Sequence, residues 1–83
     1  MENHRTPEGR IEVTFHDRST ISATIYREGE EVYLHWIKRG SVPHTHLIHP
    51  KNKGHRYGWV RELSRIFNKK SKTYNYYSLQ DKS

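Results

Sequence analysis

The chain contains no cysteine. That absence removes disulfide scaffolds and thiolate-ligated zinc, and it suits a reducing compartment. Long apolar runs are missing as well: nowhere do the roughly 18 consecutive apolar residues of a membrane-crossing helix occur. Residues 1–10 are polar and charged and hold nothing like the apolar stretch of a secretory signal. No membrane association is therefore expected, and the expected location is the cytoplasm. The five glycines are scattered, none at the spacing of a phosphate-cradling loop. Aliphatic side chains are few too. Apolar residues make up 31% of the chain and mean hydropathy is −1.12. A chain of this size buries only about 60% of the surface it exposes when unfolded, so the core must be small.

Aromatic rings make up part of the deficit. Two Trp, two Phe and six Tyr can replace many aliphatic side chains in a small core, and disordered chains usually lack them. A single folded domain over residues 10–79 is expected, with flexible tails at residues 1–9 and 80–83. Homodimerisation would be a further way to bury surface.

Negative charge is scarce in one half only. Residues 1–37 hold four Lys or Arg against seven Asp or Glu, whereas residues 38–83 hold eleven against two, Glu62 and Asp81. Polarity is thus segregated along the chain. The bland reading is a solvated basic surface that aids solubility. The functional reading is a surface for a polyanion.

Hydrophobic periodicity supplies the scaffold. Ile11, Val13 and Phe15 alternate with polar residues, as do Ile21, Ala23 and Ile25, and then Val32, Leu34 and Trp36. Asp17-Arg18-Ser19 and Glu28-Gly29-Glu30 sit between these runs as turns, so the pattern predicts an antiparallel meander. A short fourth strand is available at residues 45–49, followed by a basic loop at residues 50–58. Trp59, Val60, Leu63, Ile66 and Phe67 then recur at helical spacing, with Arg61, Arg65 and Lys69 four apart on the opposite side. The expected fold is α+β: a small antiparallel sheet of three to four strands, able to curl into an open barrel, with one C-terminal amphipathic helix at residues 59–69 packed on it. Val13, Ile25, Leu34, Trp36, Trp59, Leu63 and Ile66 are the expected core. Residues 73–79 (TYNYYSL) suit either a strand or a second helix. Tyr26, Tyr33 and His35 could form an open aromatic platform; alternatively Tyr33, His35 and Ile37 bury against the helix, the reading favoured for Ile37.

Residues 60–79 resemble the helix-turn-helix of bacterial and phage DNA-binding proteins. Ser64 falls where the helices would cross, and Asn68 falls where a left-handed turn residue is wanted. The resemblance implies that Tyr74 and Tyr77 pack a second helix on Leu63 and Phe67, leaving Lys72, Thr73, Asn75 and Tyr76 to face the groove. The sequence departs from the pattern at Lys69, where an apolar residue is usual. A single amphipathic helix followed by a loop or edge strand is the preferred reading.

His44, His46, His49 and His55 lie close together. A metal pair is geometrically open to His44 and His46 on a strand, but no carboxylate lies between Glu31 and Glu62 to complete a site, so no metal and no cofactor is expected. A metal-independent ribonuclease of toxin type could use these imidazoles as acid and base. His49, Asn52 and His55 superficially resemble the residues of a His-Asn-His nuclease, whose members straddle a hairpin and a helix rather than one loop.

The favoured function is non-enzymatic binding of DNA or RNA, as in a regulatory or accessory factor of a phage, plasmid or bacterium. Lys51, Lys53, Arg56, Arg61, Arg65, Lys69, Lys70 and Lys72 would contact phosphates, with Tyr74 and Tyr76 as stacking residues. The alternatives are the small ribonuclease and a protein-interaction or inhibitor module whose basic face binds an acidic partner protein.

Overall fold

The computed structural model describes residues 6–37 and 42–79. Its elements are β1 (Thr6–Phe15), β2 (Thr20–Glu28), β3 (Glu31–Ile37), β4 (Pro43–Leu47), α1 (Arg56–Phe67) and β5 (Ser71–Ser78). The strands form one antiparallel sheet in the order β4-β3-β2-β1-β5. The fold is α+β, as the periodicity predicts, but the sheet is open and has five strands rather than three or four. The helix is not the last element, because β5 follows it.

The three alternating runs form the middle of the sheet. Ile11, Val13, Phe15, Ala23, Ile25, Val32, Leu34 and Trp36 all point to one face and are buried there. Gly29 takes φ 64° at the first position of the two-residue turn between β2 and β3, where a type II′ hairpin turn wants glycine. The strand β1 starts at Thr6 rather than near Arg10, since its register with β2 continues through a bulge between Pro7 and Gly9. The remaining tail residues, 1–5 and 80–83, and residues 38–41 lie outside the described residues.

Trp59, Val60 and Leu63 of α1 close the core over this face, with Ile66 and Phe67 partly buried at its margin. A 12-residue helix is about 18 Å long. Crossing from one edge of a five-stranded sheet to the other takes four strand spacings, about 19 Å. The chain leaves β4 at one edge and enters β5 at the other, so α1 and its leading loop bridge the sheet. Ile48, just past β4, is completely buried and its N–H donates to Val32 O at 2.8 Å. It was not among the expected core residues, and burial of such a side chain stabilises by about 1.5–3 kcal/mol.

Both helix ends differ from the expected ones for local reasons. His55 is the N-cap, its Nδ1 accepting from Gly58 N at 2.9 Å, so the helix begins at Arg56. Asn68 caps the other end with φ 54° and ψ 47°, the left-handed conformation that asparagine tolerates. The left-handed turn expected at Asn68 is therefore present, but it leads into a strand, and residues 71–78 are not the second helix of a helix-turn-helix. This segment suits a strand by its Tyr and Thr content, and it satisfies the backbone of β1 from Gly9 to Phe15.

The expectation for Ile37 is overturned. It is 63% exposed, because Val32, Leu34 and Trp36 occupy the helix-covered face and strand alternation sends Ile37 to the other.

Candidate nucleic-acid interface

Three surfaces carry the residues of interest: the loop at residues 48–55, the outer side of α1 and the helix-facing side of β5. Among residues 42–79 the one acidic side chain is Glu62, and it is 3% exposed. It lies on the inner side of α1, three residues after Trp59. Its Oε1 is 3.0 Å from His46 Nε2, and its Oε2 accepts from Asn52 Nδ2 at 2.9 Å and from His49 N at 3.2 Å. Burial by itself would raise this carboxyl, but the bonds from Asn52, His46 and the His49 backbone outweigh it and hold the group below the ordinary glutamate range. A negative charge thus ties β4 and the loop to the helix from the inside, while the outside stays positive.

The loop is fastened at further points. Lys51 N donates to His49 Nδ1 at 3.1 Å, Asn52 N to His49 O at 2.8 Å, and Trp59 Nε1 to Lys53 O at 3.1 Å. Gly58 packs so closely on Asn52 that a Cβ there would collide with the Asn52 carbonyl. The cations of this segment are therefore presented from a fixed backbone.

The ten expected site residues divide into two groups. Lys51, Arg56, Arg61, Arg65, Lys70, Lys72 and Tyr74 are exposed. Among the described residues none of these six cations makes a salt bridge. Arg56 lies over the Tyr76 ring at 4.1 Å and Arg61 over the Tyr57 ring at 5.5 Å, contacts that hold a guanidinium in place and leave its charge intact. Arg61 borders two hollows. One is shared with His49, Lys51, Asn52 and Arg65, and the other with Tyr57, Ser64 and Lys70.

The other three serve the fold. Lys53 Nζ donates to Glu30 O at 2.6 Å, pinning the loop to the β2–β3 turn. Lys69 does not continue the stripe of Arg61 and Arg65, because the helix has ended by then. It pairs with Asp17 at 3.0 Å and donates to Ser19 Oγ at 2.9 Å. The Tyr76 ring is engaged by Trp59 and Arg56, and its hydroxyl donates to Glu8 O at 3.3 Å. It also covers Gly9, where a Cβ would strike the ring. Tyr76 is thus a packing residue rather than an open stacking platform.

The histidines are separated by role. His44 stacks on Trp36 with centroids 5.5 Å apart, His46 bonds Glu62, His49 accepts from the loop backbone, and His55 caps α1. Among the described residues no three His, Asp or Glu side chains gather as a ligand set. His49, Asn52 and His55 likewise do not converge as a His-Asn-His nuclease would require, since the first two serve Glu62 and the third faces Gly58.

Among the described residues the opposite face of the sheet carries more acidic than basic side chains, with Glu12, Glu28 and Glu31 against Arg10. Thr24, His35 and Thr45 stand side by side across β2, β3 and β4, His35 Nδ1 lies 3.1 Å from Thr45 Oγ1, and the Tyr26 ring meets His35 edge-on. The cation at its β1 row, Arg10, has Glu12 at 3.8 Å. Rings are present on this face, but unbalanced positive charge is not.

Glu62 is the structural organiser of this region, and charge counting misses it. Its spacing from Trp59 and Ile66 already places it on the apolar side of the helix, and a carboxylate there must find internal donors. Among the described residues no helix is long and apolar enough to cross a membrane. Comparisons with protein-family models, with curated proteins and with solved structures return no match for this chain.

Proposed function

We propose that the protein binds nucleic acid without catalysing a reaction, using the basic surface formed by the loop at residues 48–55, α1 and β5. One observation carries this reading: the surface holds six exposed cations, and the lone carboxylate of residues 42–79 is turned into the core. A chain selecting only for solubility gains by mixing charges of both signs, whereas phosphate binding requires cations that approach together. Lys51, Arg61 and Arg65 form the centre, with Arg56, Lys70 and Lys72 flanking them. Lys53 and Lys69 contribute charge while holding loops, and Tyr74 is an exposed ring that shares a hollow with Arg56 and Tyr57. Contacts of this kind give affinity with little sequence readout.

A salt titration of binding to duplex DNA, single-stranded DNA and RNA tests the proposal. With about four phosphates neutralised, affinity for a duplex should fall roughly 150-fold between 50 and 200 mM salt. Arg61→Ala should weaken binding to all sequences alike and reduce the salt slope by about one. Absence of binding to every nucleic acid at low salt refutes the proposal. Capture of an acidic protein that survives nuclease treatment would favour the interaction-module alternative, and shortening of the RNA on a denaturing gel would favour the ribonuclease.

A further inference from the structure

Beside the basic centre lies a hollow of about 450 Å³ between the end of β4 and α1. Its walls are mainly apolar, contributed by Leu47, Ile48, Pro50 and Ile66, with His46, His49, Arg65 and the Glu62 carboxylate, already engaged by His46, His49 N and Asn52, at the polar positions. The size and the mixture of apolar walls with a few directed polar groups are those of a small-ligand pocket. His49 and Arg65 also line the neighbouring hollow that holds Lys51 and Arg61. An apolar recess and a cationic recess therefore share two residues.

We infer that this pair of recesses receives one unpaired nucleotide, the base entering the apolar hollow and its phosphate lying against Lys51, Arg61 and Arg65. A nucleotide joins a flat, weakly polar ring to an anion through a sugar, which matches the two recesses in order. The polar walls are set before any ligand arrives. Glu62 fixes the His46 ring through Nε2, and Lys51 N fixes the His49 ring through Nδ1, which makes His49 Nε2 the protonated nitrogen of its neutral form. Arg65 adds a planar guanidinium, a group on which bases stack. In a duplex the bases are paired and stacked, so entry would first require extrusion of a base. The ligand class that follows is single-stranded nucleic acid. This inference rests on the nucleic-acid reading above and narrows it.

Fluorescence anisotropy on end-labelled strands of about 12 nucleotides, at one fixed salt concentration, tests it. The probes are single-stranded RNA, single-stranded DNA, the DNA duplex, and a strand with the same phosphates but abasic sugars. The expected result is a preference of roughly fivefold to 150-fold for a base-bearing strand over the abasic strand, with the duplex also weaker. Ile66→Trp, which fills the hollow, should bring the base-bearing and abasic strands to equal affinity. The abasic comparison needs no variant, so it decides the matter even if Ile66→Trp does not fold. Equal, salt-sensitive binding of base-bearing, abasic and duplex probes would overturn the base pocket and leave phosphate binding standing. No binding to any probe would overturn both. A gain for RNA over DNA, or the reverse, identifies which strand the pocket serves.

Discussion

Replacement of Glu62 by alanine is the most searching single perturbation of this structure. The carboxylate is 3% exposed and receives bonds from the His46 ring, the His49 backbone and the Asn52 amide. Each buried donor left without an acceptor costs about 1–3 kcal/mol. The His46 and Asn52 side chains can turn partly to water, so the expected total is about 3–5 kcal/mol, in the range for breaking a buried charged pair. A domain of this size has roughly 4–12 kcal/mol of stability in all, so a large share would be lost and Tm should fall by more than about 12 °C. Urea unfolding followed by the fluorescence of Trp36 and Trp59, with circular dichroism as a second probe, measures the change. Glu62→Gln keeps one acceptor and should fall between the two. The pH dependence has a definite sign. Because the folded carboxyl lies below its ordinary value of 4.5, its contribution is complete above that pH and is lost as the pH falls further. The gap between the native protein and Glu62→Gln should therefore narrow below about pH 4.5. A loss of less than about 1 kcal/mol in Glu62→Ala, the worth of an ordinary single hydrogen bond, would refute the idea that this carboxylate organises the loop.

Other perturbations probe separate joints. Gly58→Ala forces a Cβ onto the Asn52 carbonyl, and since backbone must give way it should cost about 1–3 kcal/mol by thermal unfolding. Gly9→Ala displaces the Tyr76 ring and should weaken the near-ultraviolet circular dichroism of Trp59, against which that ring packs. Hydrogen bonds from the Ser19 hydroxyl and backbone, then Lys69, lower the Asp17 carboxyl to about 2. Carbon-detected NMR titration should find that midpoint, and Ser19→Ala or Lys69→Ala should move it up towards 3.8. The stability this turn contributes is present above about pH 4 and fades as pH falls through about 2.

The meander was readable because apolar side chains carry its period. Val13, Ile25 and Leu34 alternate with polar neighbours, and their burial repeats the pattern directly. The strand β5 was undecidable for the converse reason: its residues are exposed or only partly buried, so no apolar period distinguishes strand from helix. What selects the strand is the unpaired side of β1, a partner more than 50 residues away. Ile37 misleads because burial against the helix, the alternative to an open platform, would need it to share a face with Trp36, which strand alternation forbids. The cationic surface was legible residue by residue, but its division was not. Lys53, Lys69 and Tyr76 are tied to Glu30, Asp17 and Glu8, partners that only the folded chain brings near.

The place of β5 beside β1 has a consequence for how the chain is made. The first three strands can pair as hairpins as soon as they are synthesised, yet β1 remains an uncovered edge until Ser71–Ser78 arrives. Closing that last pair spans most of the chain, which makes it a slow, non-local step. A ribosome-bound chain ending near Phe67 would thus display the backbone of Ile11 and Val13 to any other strand. Nascent or truncated forms that lack this strand should be the aggregating species, and the β1 amides should acquire protection only when Ser71–Ser78 docks.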